Sequence, residues 1–406
     1  MPLIVQKYGG TSLADVDCIR RVARRIAGTR RRGHRVVVVV SAMGSTTDEL
    51  VRLAHRITPA PQRRELDMLL TAGERQTMAL LSLAIMKLGC EAVSFTGSQV
   101  GIITDRFHSD ARIEEIKGDR LRAALRRGFV PIVAGFQGMS ADREITTLGR
   151  GGSDVTAIAL AAVLGADACE LNKDVDGIFT ENPREFAGVR FVPELSFGEL
   201  SELAGSGSEV IHPRACALAE KYRVPLVIRS TFSRKRGTTV RQSSELEKAF
   251  VRAITHSHEI ARVTLLDVPR RGRCLNQVVT RLAERRIPVL LFSHGSLHGR
   301  RFDLAYYLPG PCLVEAEKIL AAIAREVGAR GVETRDDLAS VSVVGPGVGS
   351  DPEIVSGTLD ALRQVGCHLS AFSTSETRLT AYFDRANLKT AGAALLGRFR
   401  LTARKR

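Results

Sequence analysis

Five consecutive valines, Val36 to Val40, constrain this chain more than any other feature. A run that is apolar on both faces suits a strand covered by helices on each side, not one with a face in water. Around it, the chain up to about residue 230 alternates short β-branched runs with helical patterns, which predicts an α/β domain with a largely parallel sheet sandwiched by helices. Strands are expected at Leu3–Lys7, Arg35–Ser41, Ala92–Phe95, Val130–Ala134, Ala168–Asn172 and Pro225–Arg229. Helices such as Glu65–Leu88 and Asp154–Leu164 fit between them.

A polar stretch, Ser233 to Thr239, continued by Gln242 to Glu247, reads as the end of this domain and a linker. The rest of the chain is a repeat. At an offset of 80 residues, Val263/Val343, Leu282/Leu362, Phe292/Phe372, Ser293/Ser373 and Phe302/Tyr382 pair up. Each copy reads strand, helix, strand, strand, helix, so two small α+β (βαββαβ) units are expected. The predicted division is 1–245, 258–330 and 331–406.

At 406 residues the chain can bury more than one core. Its 44% hydrophobic and 25% charged residues are those of a globular protein. No apolar run reaches the roughly 18 residues a spanning helix needs. The N-terminus lacks a basic segment leading into a long apolar stretch, so no secretory signal is expected and the cytoplasm is the expected address. Seven cysteines lie far apart, without a CxxC pair or a histidine at zinc-ligand spacing, and read as reduced thiols; no protein metal site is read from the sequence. The formal charge of +15 raises the question of nucleic acid. The basic residues are mostly arginines spread along helical segments such as Arg20-Arg21-Val22-Ala23-Arg24-Arg25, without interleaved aromatics. Solvated helix faces explain them, and neither nucleic acid nor a membrane is expected as a partner.

Three segments carry chemistry. Lys7-Tyr8-Gly9-Gly10-Thr11-Ser12 stands where the first strand ends and a helix begins. Its glycines permit close backbone approach, the helix N-terminus favours an anion and Lys7 adds positive charge, so it reads as a phosphate cradle or as a plain Gly-Gly turn. Thr146 to Asp154 (TTLGRGGSD) leads into an Ala-rich helix. Ser153 or Asp154 can cap that helix, or Arg150 can fork onto a substrate carboxylate while Ser153 lines the path of a transferred group. Asn172 to Arg184 (NKDVDGIFTENPR) comes at the end of a strand, where ligands of doubly wound sheets sit; it lacks the further ligands of a calcium loop.

These segments occur in the order found in the aspartate kinase family, together with Ser41 to Leu50 (SAMGSTTDEL), Leu70 to Arg75 (LTAGER), Ser94 to Gln99 (SFTGSQ) and Ala134 to Gly138 (AGFQG). The chain resembles that family along its whole length, and the repeats resemble its ACT regulatory domains. The resemblance implies an amino-acid-kinase-like fold and a reaction in which L-aspartate and MgATP give 4-phospho-L-aspartate and ADP. It implies catalytic roles for Lys7, Arg150 and Asp154, and substrate contacts from Ser41, Thr47, Glu74, Arg150 and Ser153. Lys7, Gly9, Gly10, Lys173, Asp174, Phe179, Arg184 and Glu209 would hold the nucleotide. Asp267, Ser293, Ser373 and Glu376 would mark effector sites, and a homodimer or higher oligomer would form through the ACT-like units.

The chain departs from the family in two places. Asn172-Lys173 replaces Tyr-Thr or Tyr-Ser before the DVDG turn, and Glu209 stands where a nucleotide-binding lysine is usual. A charge swap is expected, with Lys173 supplying the lost cation and pairing with Glu209. The loop from Asp267 to Arg273 is longer than the family's, and Phe292-Ser293-His294-Gly295 replaces a Gln-Asn pair, so weak or absent inhibition by lysine and threonine is expected. Two other readings stay open: a same-fold kinase for a modified aspartate or another acidic metabolite, and a non-catalytic ACT-domain regulator. Retention of Lys7, Glu74, Arg150 and Asp174 together argues against the regulator.

Overall fold

The computed structural model describes residues 1–242, 249–269, 274–296 and 301–403. The valine run forms the strand Arg35–Val40 in an eight-stranded sheet, and all five valines are fully buried. The strand order is Glu194–Ser196, Thr238–Arg241, Leu226–Ser230, Ala168–Lys173, Leu3–Tyr8, Arg35–Val40, Val130–Ala134 and Ala92–Phe95. All neighbours are parallel except Leu226–Ser230 with Thr238–Arg241. The predicted strands form within a residue of their expected ends, and the two predicted helices run over Arg63–Met86 and Gly152–Leu164. A smaller four-stranded sheet, Ile113–Ile116, Ile102–Thr104, Gln137–Ser140 and Ile145–Thr147, lies outside the predicted strands. Its three- and four-residue strands are too short for a period-two pattern to show.

The expected linker is corrected in part. Thr238–Arg241 is a strand of the main sheet, with Thr238 and Val240 buried and Thr239 and Arg241 exposed. The alternation is that of a half-buried strand, although polar composition hid it. The expected linker from Gln242 to Glu247 falls mostly on residues 243–248, outside the described residues.

The chain divides into two compact units. One comprises Met1–Phe179, Phe191–Gly205 and Glu209–Glu245; the other comprises Thr180–Arg190, Ser206–Ser208 and Leu246–Arg406. The short excursions Thr180–Arg190 and Ser206–Ser208 therefore depart from the predicted continuous domain 1–245. The second unit holds a six-stranded antiparallel sheet, ordered Leu291–Ser296, Arg301–Pro309, Ala253–Pro269, Gly331–Val344, Arg378–Asp384 and Leu369–Ser375. Helices Cys274–Glu284, Leu313–Val327, Pro352–Gln364 and Leu388–Arg398 complete the expected strand-helix-strand-strand-helix repeat. The repeat partners occupy equivalent core positions: Val263 and Leu282 in one apolar cluster, Val343 and Leu362 in the other.

The boundary between the repeats differs from 258–330 and 331–406, because the two long strands are shared. Ile254, near the start of Ala253–Pro269, packs into the second core with Val341 and Val343, whereas Val332, at the start of Gly331–Val344, packs against the first. Each repeat thus takes its fourth strand from the end of a strand whose remainder belongs to the other repeat. Among the described residues, no helix is long and apolar enough to cross a membrane.

Candidate active site

Three parallel strands end together. Register pairs Tyr8 with Val40 on one side and with Asn172 on the other, so the turns after these strands, Gly9-Gly10, Ser41 to Gly44 and Asp174 to Gly177, emerge at the carboxyl edge of the sheet. This is where an open α/β sheet binds ligands. The turns are tied to the strands by backbone bonds: Ser41 N–H to Tyr8 C=O at 3.1 Å, Gly135 N–H to Val40 C=O at 3.0 Å and Thr231 N–H to Lys173 C=O at 2.8 Å. Gly10 is required by close approach, since a Cβ there would lie 2.9 Å from the Ala42 carbonyl oxygen. The Gly44 N–H donates to the Gly10 carbonyl at 3.1 Å, locking the first two turns together.

The helix Gly152–Leu164 enters this edge, and its buried Asp154 carboxylate stands between two lysines. Lys7 Nζ lies 2.8 Å from Oδ1 and Lys173 Nζ 2.7 Å from Oδ2. Burial raises the Asp154 pKa, but Lys173 and Lys7 together outweigh it and hold the carboxyl well below the usual range. Desolvation lowers the Lys7 pKa, against the pull of Asp154. One carboxylate against two ammonium groups leaves an excess positive charge at the end of the sheet, a good place for an anionic ligand.

This triad corrects two expectations. Asp154 and Ser153 do not cap their helix; the N-cap is Gly151, at φ 72° and without a side-chain cap, and a Cβ there would come within 2.3 Å of the His212 side chain. Lys173 pairs with Asp154 and not with Glu209, which is exposed. Lys173 ends a strand adjacent to Lys7's own, so its side chain reaches the same carboxylate. The helix Val16–Arg31 also differs from expectation as an anion site, because the Asp15 side chain already accepts from the Cys18 N–H at 2.8 Å. The helix Gly152–Leu164, whose Asp154 meets Lys7, has no side-chain cap.

Glu74, 3% exposed on the helix Arg63–Met86, accepts the Ala42 N–H at 3.1 Å through Oε1, while its Oε2 is buried without a hydrogen-bond partner. Desolvation raises its pKa to about 7, against the Glu74 and Ala42 backbone hydrogen bonds. A carboxylate left with an open buried oxygen is suited to receive an ammonium group. Ser41 and Thr47 are half-buried near the turn Glu74 holds, Ser153 is buried, and Arg150 is exposed in the turn before Gly151. Asp174 is exposed, and Phe179 packs edge-on against Phe191 with ring centroids 5.7 Å apart. Asp176 anchors the DVDG turn by accepting from Ser233 Oγ at 2.7 Å and Lys235 Nζ at 2.6 Å. Arg184 is exposed on Thr180–Arg190, which folds with the second unit and not with the sheet that carries Lys7.

Sequence reasoning passed over Asp67. Fully buried, it accepts from His108 Nδ1 at 2.8 Å, Ser109 N–H at 3.1 Å, Thr147 N–H at 3.1 Å and Thr147 Oγ1 at 2.6 Å. It thereby fastens the strand leading into the Arg150 turn. A signal existed: Asp67, Leu70, Thr71 and Glu74 have the spacing of a buried helix face, where an unpaired acid would not belong.

Of the effector candidates, Ser293 and Ser373 lie on the two outermost strands of the six-stranded sheet, with four strands between them. At about 4.8 Å per strand they stand roughly 24 Å apart, too far to line one pocket within a chain. Glu376 is exposed in the turn after Ser373. Asp267 has φ 55° and accepts from Arg301 Nη1 at 3.0 Å; the rest of its loop, 270–273, is outside the described residues.

The amino acid kinase family profile matches residues 2–230. An aspartokinase of Mycolicibacterium smegmatis is 43% identical over 404 residues, which cover 97% of this chain and 95% of that one. The solved aspartate kinase of Synechocystis is 38% identical with a TM-score of 0.56, covering all of this chain and 70% of its own. E. coli aspartokinase III, solved with aspartate and ADP, superposes with a TM-score of 0.84 over 98% of this chain and 100% of its own; at 23% identity that likeness speaks for the fold.

Proposed function

We propose, from the premise that this chain belongs to the amino acid kinase family and within it to the aspartokinases, that it transfers the γ-phosphoryl group of MgATP to the side-chain carboxylate of L-aspartate. The products are 4-phospho-L-aspartate and ADP. The observation that carries the reading is the Lys7–Asp154–Lys173 triad at the carboxyl edge of the sheet. A carboxylate nucleophile with a pKa of about 3.9 is already ionised at neutral pH, so no general base is required. What the protein supplies is alignment and charge neutralisation for an in-line transfer.

In this reading Lys7 and Lys173 meet the phosphates, and Gly9 and Gly10 let the backbone approach them. Asp154 holds both lysine side chains in place. The open Glu74 oxygen receives the substrate amine and the Arg150 fork its α-carboxylate, with Ser41, Thr47 and Ser153 beside them. Asp174 and Phe179 border the nucleotide. The Mg²⁺ of MgATP would supply further charge neutralisation of the phosphates, and Asp154, the buried carboxylate between Lys7 and Lys173, would be the residue to meet it. Lys173 supplies the cation missing at Glu209, acting from Asp154 rather than from a pair with Glu209 itself.

Trapping the acyl phosphate with hydroxylamine tests the reading. Aspartyl hydroxamate should form with L-aspartate and not with glutamate, acetylglutamate, UMP or substituted aspartates. Turnover only with another acid would overturn the substrate, and silence across the panel would favour a regulatory chain. Assembly and regulation extend the same reading. The outer strands Leu291–Ser296 and Leu369–Ser375 leave open sheet edges on which a second copy can pair, which supports a homodimer or higher oligomer, checked by light scattering. Phe292, 49% exposed on the first of these strands, stands beside Ser293 where the family has an amide pair, and this supports weak or absent inhibition by lysine and threonine. Strong inhibition at sub-millimolar concentrations of the two would overturn it.

A further inference from the structure

In the second unit, three potential metal ligands converge. His256 and His258, two residues apart on the strand Ala253–Pro269, meet Glu185 of the Thr180–Arg190 segment. His256 Nε2 lies 3.1 Å from His258 Nε2 and 3.0 Å from Glu185 Oε1, and His258 Nε2 lies 2.8 Å from Glu185 Oε2. Donors around a tetrahedral ion with bonds of about 2.05 Å stand about 3.3 Å apart, so these separations are within a few tenths of an ångström of a coordination edge.

The surroundings hold the ligands in place. His256 Nδ1 lies 2.9 Å from Oε1 of Glu181, a residue only 4% exposed. If Nδ1 carries the proton for that bond, the Nε2 lone pair is directed at Glu185 and His258. A carboxylate behind the remote nitrogen of a ligating histidine is the usual support of a metal-bound imidazole. Glu185 is held in turn by Asn182 Nδ2 at 3.1 Å on Oε1 and by Lys389 Nζ at 2.9 Å on Oε2. The Phe186 ring meets His256 edge-on at 5.5 Å and shields one side. These contacts are met either by an Nε2 proton donated to Glu185 or by a cation bound to all three donors.

We propose that Glu185, His256 and His258 form a binding site for a divalent transition metal of the zinc class. Imidazole and carboxylate together suit such an ion, and three protein ligands leave a fourth position for water. The ion would clip Thr180–Arg190 to the long shared strand of the second unit, and Glu181 would act as a positioning residue for His256. The site is separate from the kinase reading and does not depend on it.

The test uses the full-length protein, stripped with a chelator and titrated with Co²⁺ and with Zn²⁺ against a chromophoric competitor. One ion per chain should bind, with a tetrahedral Co²⁺ spectrum that lacks thiolate charge-transfer bands, which separates this site from the seven cysteines. His258→Ala, at a 47% exposed side chain, and Glu185→Gln should each weaken Zn²⁺ binding by about 100-fold or more, and Glu181→Gln by about 10-fold. Zn²⁺ should raise the Tm of the native chain and leave that of His258→Ala unmoved. Absence of stoichiometric binding at micromolar Zn²⁺, or binding unchanged in both ligand variants, would overturn the proposal and leave a proton as the cation of the cluster.

Discussion

Asp154 and Glu185 each gather basic groups around one carboxylate, and their surroundings fit them for opposite ligands. Asp154, with a side chain 4% exposed, meets Lys7 and Lys173, two bases with high intrinsic pKa values. Glu185, 24% exposed, meets His256, His258 and Lys389. Burial raises both acids, and the neighbours pull both down, Glu185 to about 2. The triad at Asp154 carries a surplus of positive charge and suits an anion. At Glu185, two imidazoles with optional protons can offer lone pairs, and the cluster suits a cation. The type of base around an acid, more than the acid itself, sets which ligand the site prefers.

Asp154→Asn tests the stronger half of this comparison. It leaves two ammonium groups at a buried position without their carboxylate, and breaking such a pair typically costs about 3–5 kcal/mol. Aspartyl hydroxamate formation should fall by about 10²–10³-fold, the scale of losing one preorganised electrostatic group. A variant with the native urea midpoint and native turnover would show that the triad neither holds the fold nor aligns the phosphates.

Glu74→Gln should have the next largest effect. The folded carboxyl has a pKa of about 7 against an ordinary value of 4.5, so between those values the folded state binds more protons than the unfolded one. Its contribution to stability is therefore full below pH 4.5 and lost as pH rises through 7. At pH 8 the substitution should stabilise the empty protein by about 3 kcal/mol, with the gain shrinking toward pH 4.5. It should also raise the KM for aspartate by about 10–100-fold, because the amide offers no charge to the substrate amine. Urea melts across pH and aspartate titrations check both; a gain independent of pH would mean that the buried acid is not the cause.

Lys173→Thr removes the cation on which the departure from the family rests. The KM for ATP should rise by about 10–100-fold with a smaller change in kcat, the value of one charge-assisted contact. An unchanged KM would reduce Lys173 to a structural partner of Asp154.

The main sheet was legible because Val36 to Val40 and its neighbouring runs obey burial rules that need no third dimension. The linker error at Thr238–Arg241 arose because polar residues can form a strand when alternate side chains are buried. Lys7 was legible from its Gly-Gly turn, and Asp154 and Lys173 were named as site residues, but their pairing was not legible, since strand order brings them together from far along the chain. Asp67 left a trace in the helix pattern, whereas His256 and His258 left almost none, because their third partner is Glu185 on a separate segment. Local spacing records which face of an element is buried; it does not record which loops meet beyond the ends of the strands.

The smallest effect belongs to Lys389→Met, and it sharpens the comparison by its size. Lys389 sits 2.9 Å from Glu185 Oε2 and over the Phe186 ring at 4.8 Å, yet its side chain is 58% exposed. An exposed pair loses most of its Coulomb energy to water and gives up side-chain freedom to form, so the loss should be about 0.5 kcal/mol. Methionine keeps the apolar stem against Phe186, so the change reports mainly the charge. If the urea midpoint moves no further than that, while Asp154→Asn moves it several-fold more, burial is what separates the two acids. A loss at Lys389 equal to that at Asp154 would mean that Glu185 depends on a fixed positive charge after all, and the distinction between an anion site and a cation site would fail.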